Sequence, residues 1–63
     1  MPLQRGRTRL TLGVIQRRSG QRRNSTVTLR HALKIFDDLG APLWAQRTDS
    51  ELRRLGADPP PGH

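Results

Sequence analysis

Ser25-Thr26-Val27-Thr28-Leu29-Arg30-His31-Ala32-Leu33-Lys34-Ile35-Phe36-Asp37-Asp38-Leu39-Gly40 is the stretch whose reading decides the fold. Leu29, Ala32, Leu33, Phe36 and Leu39 recur at three- and four-residue intervals, the period of one helix face. Ser25 or Thr26 supplies a side-chain oxygen suited to capping the orphan N–H groups at a helix start. Gly40 stands where a left-handed residue ends a helix. Asp37 and Asp38 fall near the C-terminal end, where the helix dipole disfavours negative charge, so the pair belongs on a solvated face.

Working outward, Gly20 marks an earlier helix stop, and the spacing predicts a first helix from about Leu3 to Ser19. Pro2 suits its start, because proline has no N–H to leave unpaired there. Leu12 and Ile15 share one face with Thr8 a turn earlier, and that face is expected to point inward. Leu3 and Leu10 point elsewhere, which makes this helix only weakly amphipathic. On the other side, Gly40-Ala41-Pro42 opens a third helix reaching about Leu55, with Trp44, Leu52 and Leu55 on one side and Gly56 closing it. The final Ala57-Asp58-Pro59-Pro60-Pro61-Gly62-His63 cannot continue a helix and reads as a disordered or polyproline-like tail. Short connections make antiparallel neighbours of the helices. The expectation is an all-α chain: an antiparallel helical hairpin, a third capping helix and a Pro-rich tail, with domains at 1–56 and 57–63.

Composition narrows the function classes. Sixty-three residues build one small domain with a thin core, and such scaffolds usually need reinforcement from a disulfide, a metal or a partner. There is no cysteine, which removes disulfides, zinc–thiolate sites and cysteine nucleophiles together. His31 and His63 are the only histidines, and no carboxylate cluster accompanies either to complete a metal site. A partner, or more of the same fold, is the remaining reinforcement. No apolar run approaches the ~20 residues of a membrane span. No secretory signal opens the chain, and its glycines weaken the amphipathic helix of a transit peptide. The expected location is therefore the cytoplasm.

The net charge of +7 is uneven. Residues 1–30 carry eight arginines and no acid, whereas residues 31–63 sum to −1. Such a field attracts phosphates, anionic lipid surfaces or acidic protein faces. A GC-rich coding sequence, which favours arginine over lysine, would leave the same mark.

Two resemblances follow from particular residues. Gly6 to Leu39 spans about the 34-residue length of a tetratricopeptide repeat. Leu12-Gly13 resembles its large–small pair, Gly20 its turn glycine, and Gln16 stands in an aromatic place. Ser25 occupies the small-residue place at the helix crossing, Leu29 a bulky apolar place, and Ala32 the second-helix alanine. The first-helix tryptophan place holds Arg9. The stretch from Ala32 to Arg47, together with Glu51-Leu52-Arg53-Arg54-Leu55-Gly56, Gly6-Arg7-Thr8, Leu12-Gly13 and Gln16-Arg17-Arg18, resembles the terminal helical-repeat region of large ATP-binding LuxR-type transcriptional regulators. This likeness covers roughly residues 2–56 and implies a single repeat-like unit that packs against proteins in transcriptional regulation. In that family an ATPase domain lies upstream and a DNA-binding helix-turn-helix downstream. Neither is present in these residues, and no Gly-rich phosphate loop occurs. The resemblance therefore implies the repeat fold and its packing role, without ATP hydrolysis or sequence-specific DNA reading. Arg9 at an apolar place must snorkel outward or find a carboxylate. Asn24-Ser25-Thr26 interrupts a helix start. Both departures read as relaxed constraint, as in a truncated frame that has lost its role.

The candidate partner-packing residues are Leu29, Leu33, Phe36, Trp44, Leu52 and Leu55, because a repeat's core face is also its neighbour's docking face. Trp44 reads first as core and second as an interface anchor. Arg17, Arg18, Arg22 and Arg23 flank the first turn and suit phosphate contacts that are salt-dependent and sequence-blind. Against that, they also read as a solvated turn, since no aromatic platform accompanies them. Asp37 and Asp38 point about 100° apart on a helix and do not converge on one substrate atom. Asp49 and Glu51 have no base and nucleophile to work with. Asn24-Ser25-Thr26 matches a glycosylation acceptor without a secretory signal. The expected function is a non-catalytic interaction module with no cofactor, acting through a protein partner or self-association. The alternative is a small basic nucleic-acid-binding protein.

Overall fold

The computed structural model describes residues 2–57; of the tail expected at 57–63, Ala57 belongs to a helix instead, and 58–63 lie outside the described residues. The described residues form three helices, α1 (Pro2–Arg18), α2 (Arg22–Leu39) and α3 (Pro42–Ala57), and no strand. The fold is all-α. Gly13 meets Leu29 and Gly6 meets Phe36, so α1 and α2 run antiparallel. Phe36 stacks on Trp44 while Arg22 reaches Leu55, so α3 runs antiparallel to α2. The central helix is α2, flanked by the other two.

Both turns use the same device. Gly20 adopts φ +82 and Gly40 φ +65, left-handed values that glycine reaches without the Cβ penalty. The Gly20 N–H donates to the Arg17 carbonyl at 3.1 Å and the Gln21 N–H to that of Gln16 at 2.8 Å. Gly40 and Ala41 repeat the pattern onto Asp37 and Phe36, at 3.1 and 2.9 Å. Each pair satisfies carbonyls orphaned at a helix end, the Schellman arrangement. Pro42 then opens α3, where its missing N–H is no loss.

Three expectations are corrected. First, α2 begins at Arg22 after Gln21, with no side-chain cap, rather than at Ser25 or Thr26. Both hydroxyls are engaged elsewhere: Ser25 Oγ donates to the Gly13 carbonyl at 2.6 Å, and Thr26 Oγ1 to the Arg22 carbonyl at 2.9 Å. Second, Gly56 does not end α3, which continues to Ala57 with Gly56 at an ordinary negative φ. Third, α1 turns a different face inward. Gly6, Leu10 and Gly13 are buried, and Leu12 and Ile15 are 44% and 54% exposed.

That rotation has a steric cause. A Cβ on Gly6 would lie less than 3.0 Å from the Phe36 ring, and one on Gly13 less than 3.0 Å from the Leu29 side chain. Only a face without side chains lets α1 come this close to α2. Each glycine costs about 1 kcal/mol of helix propensity relative to alanine. Fully burying Leu29 and Phe36 returns roughly 1.5–3 kcal/mol apiece. The buried stripe of α2 follows suit, running through Ser25, Thr28, Leu29, Ala32 and Phe36. Leu33 is left half-buried and Leu39 exposed.

Candidate interaction surface

The core cluster of Leu10, Leu29, Ala32, Phe36 and Leu55 sits along α2, with Val14, Ala41, Trp44, Ala45 and Leu52 packed on its edge. Of the six residues expected to pack a partner, Leu29 and Phe36 are fully buried and Leu55 nearly so. They close the seams within the chain and are covered there. Leu33, Trp44 and Leu52 are half-buried. The large apolar side chains that are exposed form another set: Leu3, Leu12, Ile15, Val27, Leu39 and Leu43.

Trp44 holds α3 in place. Its ring stacks on Phe36, with centroids 5.7 Å apart and planes inclined by 22°. The guanidinium carbons of Arg7 and Arg47 each lie 5.3 Å from the Trp44 ring centroid. An offset stack and two cation–π contacts suit the ring's quadrupole, whose faces are negative. Arg7 thereby carries α1 across to α3. Beneath, Thr48 is fully buried, and its Oγ1 donates to the Trp44 carbonyl at 2.8 Å, so no buried hydroxyl is stranded there.

The four turn arginines divide into two kinds. Arg17 pairs with Glu51 at 3.4 Å, both side chains largely covered, and so joins α1 to α3. Arg22 Nη2 donates to the Leu55 carbonyl at 2.6 Å. It caps the last turn of α3, where carbonyls lack partners and the dipole favours a cation. Arg18 and Arg23 are exposed. Two of the four are therefore internal fasteners, and two remain available to an anion. Arg9, which had to find water or a carboxylate, is exposed.

The carboxylates of the described residues do not converge. Asp49 pairs with Arg53 at 2.9 Å, and Glu51 is shared between Arg17 and Arg54, the latter at 3.6 Å. Asp37 and Asp38 are exposed beyond the last buried turn of α2, and His31 is exposed on its back. Among the described residues no three His, Cys, Asp or Glu side chains lie close enough to hold a metal ion. Among the described residues no helix is long and apolar enough to cross a membrane.

Sequence reasoning missed Leu10, Thr48, Arg7 and Arg47 as packing residues. The spacing of Gly6 and Gly13, seven residues or two helical turns apart, was the available signal for α1's inner face. No family model matches the chain, and neither a curated protein nor a solved structure does.

Proposed function

We propose that the chain is a non-catalytic helical interaction module of the cytoplasm, serving as a repeat-like packing unit in transcriptional regulation. The observation carrying this reading is the separation of its apolar residues into two sets. Leu10, Leu29, Ala32, Phe36 and Leu55 close the chain's own seams, while Leu3, Leu12, Ile15, Val27, Leu39 and Leu43 stay exposed. A repeat unit leaves apolar side chains for its neighbours in this way. The sequence likeness of Ala32–Arg47 and Glu51–Gly56 to LuxR-type regulators supplies the regulatory context. The carboxylates favour binding over catalysis, because Asp49 and Glu51 are held by arginines.

The test is capture with the whole chain as bait, followed by cross-linking and mass spectrometry. Recovery of a helical-repeat protein or a transcriptional regulator is expected. Its absence counts against the reading.

One observation favours a second reading, sequence-blind binding of nucleic acid. Arg5, Arg9, Arg18, Arg23, Arg30 and Lys34 are exposed on α1 and α2, and none has a carboxylate partner among the described residues. Counterion release would make that binding fall steeply with salt. An electrophoretic shift at two salt concentrations decides it, and no shift at low salt rejects it.

A further inference from the structure

The side of α1 turned away from α2 carries a surface of its own. Gln4, Thr8, Thr11, Leu12 and Ile15, with the stem of Arg7, line a shallow depression along it. Their spacing places them on one helix face, opposite Gly6, Leu10 and Gly13. Leu12 and Ile15 lie one turn apart and are about half exposed. By helical position, Arg5 and Arg9 border Leu12 on one flank and Arg18 borders Thr11 on the other; all three are exposed. Among the described residues the rim has no negative counterpart: the first acid in the sequence is Asp37, and Glu51, which reaches α1, is engaged by Arg17.

We propose that this face seats one amphipathic helix of an acidic partner protein, a conclusion that rests on the interaction reading above. Apolar residues of the partner at helical spacing would cover Leu12 and Ile15, and carboxylates on both its flanks would meet Arg5, Arg9 and Arg18. Helix-on-face recognition of this kind reads apolar anchors three and four residues apart. Charge selects the occupant. A second copy laid on the same face would bring two acid-free, arginine-rich surfaces together, and like charges opposed at an interface are strongly unfavourable. A lipid surface would need a broader apolar face with aromatic anchors. Here two large side chains stand alone, and Phe36 and Trp44 are engaged with each other.

The probe is a synthetic helix bearing a leucine stripe flanked by glutamates, titrated into the isotope-labelled full chain and followed by amide NMR shifts. The same helix with lysines replacing the glutamates is the control. Shifts centred on Thr8, Thr11, Leu12 and Ile15 are expected from the acidic helix alone. Ile15→Glu, and separately Arg5→Glu with Arg9→Glu, should each weaken binding by about tenfold or more. Circular dichroism should be unchanged, because these side chains are exposed. Shifts centred on α2 or α3 would overturn the assignment of this face and leave the interaction reading standing. Silence with both helices would overturn it too, while the capture experiment reports on the interaction reading independently. Ile15-dependent binding to phosphatidylglycerol vesicles, with no response to the acidic helix, would assign the face to lipid and likewise overturn the proposal.

Discussion

The two seams of this chain are closed by opposite means. Between α1 and α2 the contact is made by missing side chains: Gly6 lies against Phe36, Gly13 against Leu29, and Ser25 bonds the Gly13 carbonyl. Between α2 and α3 it is made by large ones, with the Phe36–Trp44 stack and Arg22 on the Leu55 carbonyl, and Arg7 reaches in from α1 to the same ring that Arg47 covers from within α3. A seam built on close backbone approach has no slack, so added volume forces the helices apart. A seam built on long, flexible side chains can give up one contact and keep the rest. The same number of altered atoms should therefore cost much more at the first seam than at the second.

Gly13→Val breaks this comparison at its sharpest point. The new Cβ would fall less than 3.0 Å from Leu29, a fully buried side chain with nowhere to move. Overpacking of this kind costs roughly 1–3 kcal/mol. A domain of this size holds only about 3–5 kcal/mol in all, so a large part of its stability should go. The check is a urea melt followed by circular dichroism. A midpoint within error of the parent would mean that the helices do not cross here.

Gly6 sharpens the argument, because its neighbour can be changed as well. In the parent, Gly6→Ala meets the Phe36 ring and should destabilise. In a Phe36→Val background those ring atoms are gone, and the helix preference for alanine, about 1 kcal/mol, should prevail. The effect of one substitution then reverses sign with the identity of the other residue. A double-mutant cycle in urea measures that coupling, and additive effects would reject the contact.

Ser25→Ala is smaller. It removes the bond from Ser25 Oγ and leaves the buried Gly13 carbonyl with one acceptor site fewer filled, while the volume hardly changes. A loss of about 1–2 kcal/mol is expected, again read from the urea midpoint. Ser25→Gly should cost more, since a helix-interior glycine adds its own penalty of up to about 1 kcal/mol.

The difference between the seams also explains how far the sequence could be read. Gly20 and Gly40 announced both turns because a left-handed residue at a helix end is a local requirement. Leu29, Ala32 and Phe36 announced the core because burial follows the helical period. The inner face of α1 stayed hidden, since periodicity counts apolar side chains and this face works by lacking them. Leu12 and Ile15, the obvious apolar pair, were therefore expected inside and lie outside. Ser25 could be read either as a cap or as a crossing residue, and only the position of Gly13 decides between the two. Arg17 and Arg22 looked like the exposed Arg18 and Arg23. Long side chains take whatever partner the tertiary fold presents, and nothing local in the sequence records that Glu51 and the Leu55 carbonyl would be in reach.

The smallest expected effects lie at the second seam, and they test its redundancy. Arg7 and Arg47 both lie 5.3 Å from the Trp44 centroid, yet Arg7 comes from α1 and Arg47 from α3 itself. Removing Arg47 takes away a contact within one helix, whereas removing Arg7 takes away a tie between helices. Each cation–π contact at a partly exposed site amounts to about 0.5–1 kcal/mol. Arg7→Gln should therefore lower stability by that amount, and Arg47→Gln by less, because its partner is fixed by α3 even when α3 loosens. Trp44 is the only tryptophan, so its emission reports on this seam alone. A red shift in Arg7→Gln that exceeds the shift in Arg47→Gln would show that the arginine from α1 helps hold α3 down. Equal shifts would mean that both arginines merely shade the ring, leaving the Phe36 stack, Arg17–Glu51 and Arg22 to fasten the third helix.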